Sequence, residues 1–122
     1  MIELECPPDL RPAALAALRA AGIEDGHLTI ELVDPDRIQQ LNREHRGIDS
    51  PTDVLSFPVD GTGPAAGPRE LGDVMISPPH TEDPVEATVH GVLHLLGFDH
   101  ETDDGEMLAL QDRVVAELRA KR

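Results

Sequence analysis

Three histidines in one short run set the chemistry open to this chain. His90, His94 and His100 lie in HGVLHLLGFDH, residues 90–100. On a helix, four residues turn the chain by about 400°, so His90 and His94 face the same way, ~6 Å apart along the axis. Two imidazoles so placed can hold one tetrahedral ion at Zn–N distances of ~2.0–2.1 Å. Gly97 follows His90 by seven residues, where a positive φ lets the chain turn back past the helix end. The Gly97-Phe98-Asp99 turn then delivers His100 as a third ligand. Three protein ligands leave a fourth position for water, the arrangement of a catalytic zinc. A histidine pair at i, i+4 is, taken alone, often two solvated side chains. The added Gly and His each perform a separate geometric task, and that favours the metal.

The spacing HxxxHxxGxxH is shared with helix-plus-turn zinc proteases, which carry Glu after the first histidine as general base. Here that position is Gly91. Peptide hydrolysis needs a base for water and an acid for the departing amine, and this helix offers neither. Phosphodiester cleavage asks for less, because a metal lowers the pKa of bound water to ~7 and polarises the phosphoryl oxygen. A cation to hold the phosphate is then required. Arg46 is the candidate, at the end of a predicted helix and beside the turn GIDSP, residues 47–51. Arg37 and Arg43 are nearby and read as surface arginines. The alternative enzyme class is a metallopeptidase or small-molecule metallohydrolase on the same three histidines. A non-catalytic protein with structural zinc would need a fourth ligand, and only carboxylates such as Asp99 stand close in sequence.

The elements that must position these residues follow from periodicity and punctuation. Residues 1–6 alternate as a short strand, and 10–21 have the Ala/Leu spacing of a helix ended by Gly22. Residues 27–33 read as a β-branched strand. Asp34 and Pro35 then cap and open a helix running to about Arg46. Residues 53–58 and 70–77 read as strands, the second with a bulge at Gly72. Residues 60–68 hold three Gly and two Pro and form the clearest loop. A helix from about Pro84 to Leu96 carries the first two histidines. A last helix runs from about Asp103 to Arg119, with Asp103 and Glu106 as a capping pair and Met107, Leu108, Val114, Val115 and Leu118 as core candidates. His27 and His80 read as surface residues. The order β-α-β-α-β-β-α-α predicts an α+β fold, a small mixed sheet of about four strands with helices packed on it. At 122 residues, the span 1–122 has the size of a single domain.

Composition narrows the partners. Acidic residues outnumber basic ones 24 to 10, a net charge of −14, which argues against general, sequence-independent affinity for nucleic acid. Trp and Tyr are absent and Phe57 and Phe98 are the only aromatics, so a base-stacking platform is nearly lacking. Any anion site must be local and work against the overall field. Cys6 is the sole cysteine, which excludes an intrachain disulfide and fits a reducing compartment. No apolar run reaches ~18 residues, and no secretion signal is seen at the start, so a cytoplasmic location is expected.

The run HGVLHLLGFDH, with HRGIDSPTDVLSFP (45–58) and ELGDVMIS (70–77), resembles the YbeY family of rRNA maturation endoribonucleases, in three ordered blocks from Asn42 to about Gln111. The resemblance implies a zincin-like metal helix and one Zn²⁺ per chain held by His90, His94 and His100, with Arg46 as the functional arginine. It further implies cleavage of single-stranded RNA, ribosomal RNA of the small subunit, in rRNA maturation and ribosome quality control. The ribosome itself is an implied partner, DNA is not, and no membrane is involved. Three departures stand out. Ile48 and Ser50 occupy positions where basic residues are common. His45 and Phe98 stand where Tyr is common. The segment between Ser77 and His90 is short, which implies a reshaped cleft wall.

Overall fold

A computed structural model describes residues 2–59, 70–98 and 104–120. The 60–68 loop, His100, and the readings of Asp99 and Asp103 therefore lie outside the described residues. The strands are β1 (Ile2–Glu5), β2 (Gly26–Leu32), β3 (Val54–Pro58) and β4 (Glu70–Ile76). The helices are α1 (Arg11–Ala20), α2 (Pro35–Arg46), α3 (Pro84–Leu95) and α4 (Glu106–Ala120), with short 3₁₀ turns at Pro8–Leu10 and Pro78–His80.

The strands form one mixed sheet in the order β1-β2-β4-β3. β1, β2 and β4 run parallel, and β3 is antiparallel to β4. The α+β class and the four-stranded mixed sheet expected from the sequence are both present. The β2–β4 ladder shifts register between His27 and Leu28, pairing them with Glu70 and Gly72, so the bulge read at Gly72 is there. Gly72 has φ of 136°, and a Cβ on it would lie 2.2 Å from the Phe57 carbonyl oxygen; only glycine fits where β3 passes so closely.

Alternation then decides what each face buries. Leu28, Ile30, Val74 and Ile76 point to one side, where α1, α3 and α4 cover them in the main core. α1 packs closely because its buried stripe is made mostly of alanine: Ala13, Ala14 and Ala17 are buried beside Leu18. On the other side, Ile38 and Leu41 of α2 pack against Leu55, with Phe57 and Met75 around them. α2 begins where the sequence predicts: the Asp34 carboxylate accepts from the backbone N–H of Arg37 at 2.7 Å, the expected N-cap bond.

α4 corrects the sequence reading twice. It starts at Glu106, and the Glu106 carboxylate accepts from the N–H of Asp104 at 2.7 Å. Its buried residues are Met107, Gln111, Val114 and Val115, whereas Leu108 is exposed. One residue past Met107, Leu108 is turned by about 100° away from that stripe, and the buried position a turn further on belongs to Gln111. Among the described residues no helix is long and apolar enough to cross a membrane.

Candidate active site

α3 carries His90 and His94 and is opened by Asp83, whose carboxylate accepts from the N–H groups of Val85 and Glu86. The two imidazole rings lie edge to face, with centroids 4.6 Å apart. Both line a cleft of about 860 Å³ together with His45, Arg46, the stretch from Thr52 to Pro58, Gly97 and Phe98. The structure thus brings Arg46 and two of the three sequence-predicted histidines to one cavity. The third, His100, is outside the described residues. Gly97 has φ of +100°, the left-handed turn that was expected to end the motif helix.

Gly91 explains how α3 is seated. A Cβ there would lie 2.7 Å from Val74 Cγ1 and 2.9 Å from Val54 Cγ2. The position after the first histidine is therefore pressed against the sheet, and no carboxylate side chain can occupy it without moving the helix. The protease-type general base is thus excluded by packing as well as by residue type.

Arg46 stands in the last turn of α2, which closes at Gly47. Among the described residues it is the only Lys or Arg lining the cleft. Its neighbour Arg43 is drawn to Asp49, N···O 3.5 Å, and Arg37 bonds Gln40, in keeping with their reading as surface residues. The turn after Arg46 is held from beneath: buried Asn42 donates from Nδ2 to the Ser50 carbonyl at 2.9 Å. His45 packs edge to face on Phe57, with centroids 4.8 Å apart, and so lends the cleft an aromatic contact where the resemblance expects Tyr.

The sequence reading missed Gln111. This side chain is 5% exposed, and its Oε1 lies 2.7 Å from His90 Nδ1. The available signal was a lone amide at i+4 from Met107, in line with Val114 and Val115 on an otherwise apolar stripe. His27, read as a surface residue, is instead half-buried between strands. Its Nδ1 is 2.7 Å from Glu70 and its Nε2 3.5 Å from Glu5.

The donor set suits a divalent metal. Two imidazoles four residues apart share the cleft, and one is held through Nδ1, the usual way a ligating histidine is oriented. Among the described residues no group of three or more His, Cys, Asp and Glu is placed to hold an ion, so the site as a three-ligand centre depends on His100.

Comparison with known proteins decides which chemistry the cleft serves. The family model for endoribonuclease YbeY matches residues 11–119. The chain belongs to the YbeY endoribonuclease family. The chain is 37% identical to endoribonuclease YbeY of Persephonella marina over 91% of this chain and 82% of that protein. It is 41% identical to that of Azorhizobium caulinodans over 91% and 83%. The solution structure of TM1509 from Thermotoga maritima superposes with a TM-score of 0.57 at 29% identity, covering 99% of this chain and 93% of that one. As a YbeY-family enzyme the protein is a hydrolytic nuclease rather than a peptidase, which agrees with the closed space at Gly91.

Proposed function

We propose that this YbeY-family protein is a zinc-dependent, single-strand-specific endoribonuclease that acts in the cytoplasm on ribosomal RNA of the small subunit, in rRNA maturation and ribosome quality control. One observation carries the reading: Arg46 and the pair His90 and His94 line one cleft. His90, His94 and His100 are the residues that would hold zinc, one ion per chain. Zinc held by neutral imidazoles supplies Lewis acidity and water of lowered pKa, at a local charge near +2.

The rest of the work falls to side chains. Arg46 grips a phosphate through two parallel N–H···O bonds, which fix the backbone of the RNA in the cleft. This local cation is what lets a protein of net charge −14 take an anionic substrate at all. His45 and Phe57 offer a small aromatic surface beside it. The location is supported by the single cysteine and by the substrate.

The test joins metal analysis of the purified protein to cleavage of matched single- and double-stranded RNA, with and without chelator. One zinc per chain, chelator-sensitive cleavage and preference for the single strand are expected. Cleavage that survives complete metal removal, or equal cutting of the duplex, refutes the proposal.

A further inference from the structure

Gln111 connects α4 to the histidine helix, and its contacts settle which way its amide points. The two ends of an amide differ: the oxygen only accepts and the NH₂ only donates. Gln111 Nε2 lies 3.4 Å from Glu86 Oε1. An ionised carboxylate is an acceptor only, so the end facing Glu86 must be the NH₂. The amide oxygen then faces His90 Nδ1, at 2.7 Å. Because that oxygen can only accept, His90 must carry its proton on Nδ1. In a neutral imidazole the lone pair is then on Nε2, the nitrogen on the far edge of the ring from Gln111.

We propose that Gln111 is a positioning residue for the metal site: backed by Glu86, it fixes His90 in the Nδ1–H tautomer and reserves Nε2 for the ion. Glu86 and His90 are four residues apart on one face of α3, so a single amide arriving from α4 spans both. A neutral histidine side chain in water favours the opposite tautomer, with its proton on Nε2. The contact therefore selects the ligating form before any metal arrives. The burial of Gln111 acquires a reason: an amide on an apolar stripe weakens packing unless each end is satisfied. The inference rests on the zinc reading of the cleft, and its test separates the two.

The measurements are zinc affinity of the full chain, by competition with a chromophoric chelator, and the nitrogen-bound proton of His90 in long-range ¹H–¹⁵N spectra. Q111M keeps the length and burial of the side chain without its acceptor, and is expected to bind zinc ~10–100-fold more weakly. Q111E restores an acceptor to Nδ1–H, and combined with E86Q it exchanges the amide and the carboxylate. That pair keeps an acceptor on Nδ1–H and is expected to bind zinc clearly more tightly than Q111M, close to wild type. Wild type is expected to show the proton on Nδ1. A wild type that takes up no zinc overturns the reading of the site. A wild type that takes up zinc, with Q111M its equal, overturns the role of Gln111. So does a wild-type spectrum with the His90 proton on Nε2, an outcome that needs no variant to fold.

Discussion

The Ser56 hydroxyl donates to the Gly91 carbonyl oxygen at 2.7 Å. Ser56 lies in the strand that follows Arg46, and Gly91 lies next to His90, so this bond ties the two walls of the cleft together. It forms because Gly91 has no side chain to hold α3 off the sheet. The seating of the histidine helix against the strand that follows Arg46 is thus set by this close approach.

That close approach makes Gly91 a test of packing. In an open helix, Gly→Ala gains up to about 1 kcal/mol. Here the added methyl meets Val74 at 2.7 Å and Val54 at 2.9 Å, and overpacking costs ~1–3 kcal/mol. Gly91→Ala is expected to be net destabilising by about 1 kcal/mol, read as a lower urea midpoint. A midpoint at or above wild type would mean that α3 has room to move.

Arg46→Ala is expected to leave fold and metal content unchanged and to lower RNA cleavage by ~10²–10³, the worth of one preorganised charge contact in a transition state. Arg46→Lys recovers part of this, since a point charge replaces a bidentate fork. His94→Ala shows the opposite pattern, losing bound metal along with cleavage. Wild-type rates in Arg46→Ala would reduce that residue to a helix-end surface charge.

Salt provides an independent count of phosphate contacts. Each phosphate neutralised on a single strand contributes ~0.7 to the slope of log affinity against log salt. With Arg46 the only Lys or Arg lining the cleft among the described residues, a slope of magnitude about 1 or less is expected for RNA binding. A slope of 5 or more, characteristic of an extended basic track, would place the main RNA contacts elsewhere.

His27 links stability to pH. The hydrogen bond that His27 donates to the Glu70 carboxylate favours the charged imidazolium, burial opposes this, and the charges of Glu70, Glu5 and Glu3 add to the first effect. The net result is a folded-state pKa above the ordinary 6.5. A raised pKa contributes stability that is fully present below the unfolded value and lost as pH rises through the folded one. Urea unfolding on either side of neutrality should show His27→Gln losing more stability at pH 6 than at pH 9. The difference is expected below about 1 kcal/mol, since the group is partly exposed. Equal losses at both pH values would show that the ion pair is idle.

Local signals in the sequence were read well because local physics governs them. Asp34-Pro35 is both cap and first turn, and the helix begins there. The Gly72 bulge and the left-handed Gly97 were also visible, since each is a conformation that few other residues adopt. The strand order was not. Placing β4 between β2 and β3 depends on pairings such as His27 with Glu70, far apart in the chain. The histidine spacing placed His90 and His94 correctly because the helix period is fixed. Gln111 was passed over because its partner lies on another helix, and Leu108 was misassigned because apolar character was counted without its angle on the stripe. Gly91 was recognised as lacking a base, but its reason, contact with Val54 and Val74, exists only in three dimensions.

The sheet order also imposes a sequence of events on a growing chain. Among the described strands β3 pairs with β4 alone, and β4 is made after it. At ~5–20 residues per second, roughly one to four seconds separate the synthesis of Pro58 from that of Ile76, and for that interval β3 has no strand to join. The Arg46 wall is made first, the histidine wall last, and the strand that unites them is made in between. The cleft therefore has all of its sides only after α3 has been made.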